Sequence, residues 1–209
     1  MSRRLFIVGA GSFGRELEGH LAAVPSGRRD WEVEGFLDDD PAALEGFPSD
    51  HRVLGPVDGF GFRDGDLAVL AIAKPSTKRK VFESLAGRVE VMTFVSPDAI
   101  VGKFTRLGTG CVIGPRVILG PNVTLGDAVF VNSGSMVGHD ASIGSFSSLM
   151  AANNVAGGCR IGEGVFAAST VTIIPGRKIC DGAYLGAGSV VIQDVKEPRT
   201  VFGNPARYV

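Results

Sequence analysis

The chain has 209 residues, enough to bury one sizeable core or two small ones. Its 21 Lys and Arg offset 22 Asp and Glu without blocks of like charge, which argues against nucleic acid as a partner. Cys111, Cys159 and Cys180 are odd in number, lack C-x-x-C spacing and have no nearby histidines, which argues against a disulfide framework or a zinc site; no stretch approaches the length of a membrane span, so a cytoplasmic protein without a membrane partner is expected.

From Arg3 to about Val95, short β-branched runs alternate with helix-like segments, the pattern of an α/β domain over residues 1–95. A strand at Leu5–Val8 runs into Gly9-Ala10-Gly11-Ser12-Phe13-Gly14 and then a helix near Gly14–Val24, the context in which a phosphate approaches a helix N-terminus. A second strand, Val33–Leu37, ends at Asp38 and Asp39, acids suited to ribose hydroxyls or base edges. The stretch Asp38–Asp66 is rich in Asp, Gly and Pro and reads as an irregular excursion with one short helix at Pro41–Leu44. A strand at Leu67–Ile72, a helix at Ser76–Ala86 and a strand at Val89–Phe94 complete the unit. This is one mononucleotide half of a doubly wound fold with no room for the other, so a nucleotide or nucleotide-sugar is expected rather than NAD.

The pattern then changes. Every sixth residue from Val101 to Val191 is aliphatic, the next is most often Gly, and four residues after each aliphatic a small or β-branched side chain predominates. Neither 3.6 nor 2 yields an amphipathic helix or plain strand from such a period, whereas a stack of triangular coils does. A large aliphatic fills each inside corner, a small residue lies against the inner face, and three hexads close a turn, so residues 18 apart stack at the strand spacing of ~4.8 Å. Cys111 and Cys159 fall on the small inward position and read as packing residues. The period resembles the hexapeptide repeat of left-handed parallel β-helices and assigns residues 96–209 to an all-β solenoid.

A core of aliphatics leaves chemistry to the corners. His20 falls on the first helix and His51 in the excursion; His139 falls on a solenoid corner, followed by Asp140. Stacking puts Pro121 and Gly157 on either side of His139, and Asn122 and Gly158 on either side of Asp140. Small neighbours suggest an open groove above the imidazole, with the Gly157 N–H about one strand spacing away, ~5 Å. An adjacent carboxylate that holds the imidazole tautomer makes a general base.

The glycine turn, the linker Ser96-Pro97-Asp98-Ala99, the hexads with a His followed by an acid, and the closing Gly203-Asn204-Pro205-Ala206 together resemble the nucleotide-sugar N-acetyltransferases of bacillosamine and perosamine biosynthesis, relatives of the sialic-acid O-acetyltransferases. The resemblance covers essentially the whole chain. It implies an N-acetyltransferase that moves an acetyl group from acetyl-CoA to a nucleotide-linked amino-deoxysugar, and a homotrimer with active sites between neighbouring solenoids. It further implies His139 as catalytic base, Asp140 as its orienting carboxylate and Asn132 as a polar residue near the reacting centre. Gly157, Ala168 and Ala187 match positions that contact acetyl-CoA through the backbone. Gly9, Gly11, Ser12, Phe13, Gly14, Asp38 and Asp39 match the nucleotide site, with Ala73, Lys74 and Lys78 contributing from the third strand and following helix. Two positions depart from the family pattern, Ser148 at the acetyl-CoA site and Phe13 in the glycine loop, each standing where histidine is common. No metal is implied; a γ-class carbonic anhydrase would need three solenoid histidines where this chain has one. A sugar O-acetyltransferase, or a nucleotide-sugar sensor or scaffold without catalysis, are the alternative readings.

Overall fold

A computed structural model describes residues 2–209, which divide into two compact units: 2–73 with 77–92, and 74–76 with 93–209.

The first unit is a five-stranded parallel sheet in the order β3-β2-β1-β4-β5, formed by β1 (Arg3–Val8), β2 (Trp31–Leu37), β3 (Val53–Gly55), β4 (Leu67–Leu70) and β5 (Glu90–Val91). β1 is central, and its last four residues, Leu5 to Val8, are buried apolar side chains, as a parallel strand covered on both faces requires. Helix α1 (Ser12–Ala22) buries Gly14, Leu17, Glu18 and Leu21, one stripe at helical spacing. Helix α2 (Pro75–Leu85) follows β4. Phe60 and Phe62 from the excursion pack edge-on against Phe6 of β1, with ring centroids 5.1 and 5.7 Å away.

Five expectations shift. Both helices begin earlier than their apolar stripes, at Ser12 and Pro75, because Gly11 and the chain before Pro75 already turn the backbone. The third predicted strand stops at Leu70, and Val89–Phe94 divides between Glu90–Val91 and Phe94–Val95, which join different sheets. Residues 41–46 form turns in place of the short helix. The strand Val53–Gly55 had no signal in its Asp- and Gly-rich surroundings; it exists because β2 offers it an edge.

The second unit is the left-handed parallel β-helix of hexapeptide repeats. Three sheets of eight, six and five strands form its first, second and third faces, opening with Phe94–Val95, Ile100–Val101 and Arg106–Leu107 respectively. Pairing joins residues 18 apart, for example Met136 with Ile118 and Asn154, and Ser142 with Thr124 and Arg160. From Ile113 to Val191 the second residue of each two-residue strand is buried in one continuous aliphatic core, in which Cys111 and Cys159 are fully buried.

The small inward residues also do polar work. At some corners a side chain 15 residues earlier reaches a corner carbonyl: Thr105 Oγ1 to Gly120 O at 3.0 Å, Ser135 Oγ to Met150 O at 3.1 Å, Ser147 Oγ to Gly162 O at 2.8 Å. The thiols of Cys111 and Cys159 make the equivalent contacts to Gly126 O and Ile174 O at 3.1 and 3.3 Å.

Candidate active site

The edge between the second and third faces carries His139 and Asp140. Met136–Val137 ends the strand, Gly138 turns the chain, and His139 projects with its side chain 68% exposed. Asp140 adopts φ of +59°, a left-handed turn that Asp tolerates better than most residues. Its Oδ2 lies 2.7 Å from Nδ1 of His139, and its Oδ1 accepts from Nδ2 of Asn122 at 2.8 Å. A carboxylate only accepts, so Nδ1 carries a proton, and in the neutral ring the lone pair is on Nε2. These hydrogen bonds, from His139 first and Asn122 second, hold the Asp140 carboxyl below its ordinary value against a small opposing desolvation.

Gly157 is placed one coil beyond His139, as the period of 18 requires. The expected open groove above the imidazole is not there: the ring itself occupies that space. A Cβ on Gly157 would stand 2.6 Å from Nε2 and 2.8 Å from Cε1 of His139. The absent side chain is therefore what lets the imidazole lie along the edge. The Gly157 N–H finds no acceptor among the described residues, so a donor remains beside the ring.

The edge between the first and second faces carries Asn132, Ala168 and Ala187, so one chain does not bring them to His139. Asn132 Oδ1 accepts from the N–H of Ser133 at 2.6 Å, which leaves its amide nitrogen outward. Along this edge the N–H groups of Ala151, Ser169 and Ala187 have no acceptor among the described residues. They recur once per coil, ~4.8 Å apart, a row of donors matched to an extended chain bearing amide carbonyls. On the third edge the corresponding donors are taken: Thr109 N–H by Asp127 Oδ1 at 2.9 Å, Asp127 N–H by Ser145 Oγ at 3.0 Å, and Glu163 N–H by Asp181 Oδ1 at 2.8 Å. Ser148, expected at the site, is fully buried in the first face, paired between the larger side chains of Phe130 and Phe166.

In the first unit, Gly9 has φ of +103° and a Cβ there would stand 2.9 Å from the carbonyl oxygen of Ala71, while a Cβ on Gly14 would collide with the carbonyl of Gly9. Both positions need glycine; Gly11, with open space around it, does not. Asp38 spends both oxygens on the loop, Oδ2 accepting from Ala10 N–H at 2.7 Å and Oδ1 from Asp40 N–H at 3.0 Å. Asp39 is exposed, and both acids line a cavity of about 180 Å³ with Gly9, Ile72, Val57, Thr77 and Val81. Ser12 is exposed at the helix N-terminus and Phe13 half-buried; neither lines the cavity. Nor do Ala73, Lys74 or Lys78: Lys74 is exposed on the surface, and Lys78 is 2% exposed, packed into the fold rather than offered to a ligand. Thr77 and the valines escaped the sequence reading because apolar lining carries no motif.

The other histidines have structural partners. His51 Nδ1 meets the buried Glu18 at 2.8 Å beside Ser49, fastening the excursion to α1, and His20 lies 3.5 Å from Glu16 one helical turn away. Among the described residues no three His, Cys, Asp or Glu side chains are grouped to hold a metal, and no helix is long and apolar enough to cross a membrane.

Residues 92–127 match the family model for the bacterial transferase hexapeptide (six repeats). Chloramphenicol acetyltransferase of Klebsiella aerogenes is 40% identical over 65 residues, a span that is 31% of this chain and 31% of that protein, so the chain matches under a third of this curated relative's length. Over the whole length, the chain is similar to the acetyltransferase domain of PglB from Neisseria gonorrhoeae FA1090, with 26% identity, a TM-score of 0.88 and 100% of both chains covered. It is similar as well to PerB from Caulobacter crescentus, solved with CoA and GDP-perosamine, with 26% identity, a TM-score of 0.83, and 98% of this chain and 96% of that one covered. Over its whole length the chain is thus similar in fold to these two acetyltransferase structures, and over residues 92–127 it matches the hexapeptide transferase model.

Proposed function

We propose that the chain transfers the acetyl group of acetyl-CoA to the amino group of a nucleotide-linked amino-deoxysugar, with His139 as general base. The single observation that carries this reading is the imidazole on an exposed corner with Nδ1 fixed by Asp140 and Nε2 left basic beside the N–H of Gly157. The amine nitrogen bonds to the thioester carbonyl carbon as Nε2 takes its proton, the C–S bond breaks, and the thiolate leaves with a proton. In this reading the Gly157 N–H, which has no acceptor among the described residues, donates to the carbonyl oxygen as it gains charge. Acetyl-CoA fits the donor row of the other edge: Ala168 and Ala187 border the open N–H groups that its amide carbonyls would use. The nucleotide belongs in the cavity of the first unit, with the glycine loop toward phosphate and Asp39 free to accept from a ribose or base. Likeness to PerB, solved with CoA and GDP-perosamine, supports both assignments.

Because His139 and the Ala168–Ala187 row occupy different edges, the reading requires two copies per site, and a closed trimer is the assembly that supplies them. The outward side chains Ile100, Ile118 and Met136 stack on the second face with 61%, 40% and 44% of their surfaces exposed, an apolar row for a partner copy to cover. The test is thiol release from acetyl-CoA in the presence of UDP-, dTDP- and GDP-linked 4-amino-deoxysugars and their 4-hydroxy counterparts. His139→Ala should lower kcat by ~10²–10⁴ with the melting temperature kept, since an exposed corner contributes little to the core. Native turnover in that variant would exclude His139 as the base, and acceptance of hydroxyl sugars alone would make the enzyme an O-acetyltransferase.

A further inference from the structure

We propose that Asn122 is a positioning residue for this reaction, fixing the Asp140 carboxylate from the preceding coil so that it can fix His139; the proposal rests on His139 being the base. A line of hydrogen bonds runs along the edge, Asn122 Nδ2 to Asp140 Oδ1 at 2.8 Å and Asp140 Oδ2 to His139 Nδ1 at 2.7 Å. Each turn's backbone is pinned to the coil before it, with Asn122 N–H donating to Lys103 O and Asp140 N–H to Pro121 O, both at 3.0 Å. The two side chains are thus carried on fixed backbones one strand spacing apart. Asp140 is itself 57% exposed, and with only one oxygen held by a movable ring its carboxylate has rotational freedom. The amide of Asn122 takes the second oxygen and removes that freedom.

The backbone does not explain an asparagine here. Position 122 has φ of +60°, but equivalent turns with φ of +50° to +64° accept Phe104, Arg116, Ala128, Phe146, Ala152 and Thr170. What distinguishes residue 122 is its partner. Of the groups facing Asp140, only His139 and Asn122 make contacts with its carboxylate; the following coil supplies Gly157 and Gly158, which carry no charge, and the preceding coil Pro121.

Two variants separate the amide from the fold. Asn122→Gly removes the amide where φ already favours glycine, and Asn122→Asp keeps the shape while replacing the donor with an acceptor. With acetyl-CoA and GDP-perosamine as probes, kcat should fall roughly five- to tenfold in N122G and further in N122D, at unchanged KM for acetyl-CoA and an unchanged melting curve. Carbon-13 titration of the Asp140 carboxyl should move to higher pH in both, because loss of a donor to the ionised form favours protonation. The nitrogen-15 shifts of His139 should show a larger share of the Nε2–H tautomer. The spectroscopic readouts need no acceptor sugar, and native titration and tautomer ratio in both variants overturn the proposal on their own. Native kcat in both variants beside a crippled H139A overturns it while leaving the base assignment standing; native kcat in H139A itself overturns both.

Discussion

Gly157 and His139 share one volume: the ring lies where a side chain on residue 157 would begin. Gly157→Ala therefore sets 2.6 Å between the new methyl and Nε2, and the imidazole, the end of an exposed side chain, gives way before the backbone does. A melting temperature within a few degrees of the parent and a kcat reduced about 10- to 100-fold are expected, because a base displaced by a fraction of a bond length from its proton loses most of its advantage. A parallel fall in melting temperature would mean that the glycine serves the coil instead. The acid side of the rate profile belongs to the same residues. With its carboxyl held below the ordinary value by the hydrogen bonds from His139 and Asn122, Asp140 keeps its charge, and so its hold on the ring, further into acid than a free carboxyl would. Asp140→Asn, which removes that charge at every pH, should lower kcat across the whole profile, measured as kcat against pH beside the parent. Position 157 was legible from the period of 18, which fixes neighbours along an edge. That the imidazole fills its space was not, because a period carries no side-chain torsions.

The inward row of Thr, Ser and Cys shows what sets the composition of a coil element. Ser147 is fully buried, donating to Gly162 O at 2.8 Å and accepting from Val165 N–H at 2.9 Å. Ser147→Ala strands both partners in an aliphatic interior and should cost about 1–3 kcal/mol in denaturant unfolding. Ser147→Cys, which reproduces the thiol contacts of Cys111 and Cys159, should recover part of that loss; equal destabilisation by the two substitutions would show that the hydroxyl contributes volume alone. These elements were the most legible part of the chain, since one rule is repeated at every sixth residue. The α/β elements were less so. Their helices were displaced by a residue or two because caps lie outside the apolar stripe, and Val53–Gly55 was missed because three residues beside Gly and Asp become a strand only when β2 presents its edge.

At the scale of the whole molecule, the two edges pose a question that one chain does not answer. His139 and the donor row beside Ala168 and Ala187 lie on opposite borders of the second face, and that face bears the exposed row Ile100, Ile118 and Met136. If that face meets the next copy, each site draws its base from one chain and its acetyl-CoA contacts from the neighbour. Two inactive chains are then complementary. His139→Ala abolishes the base but keeps the row, whereas Ala168→Glu places a carboxylate against the row but keeps the base. Co-expressed in equal amounts, random trimers rebuild roughly a quarter of their sites, so thiol release should return to about a quarter of the parent rate from two preparations that are each nearly silent. Adding Ile118→Glu to both chains should abolish the recovery and shift the mass by light scattering toward the single chain, because three exposed apolar residues per copy are then interrupted by charge. A site built within one chain gives the opposite pattern, with no recovery on mixing however the chains assemble.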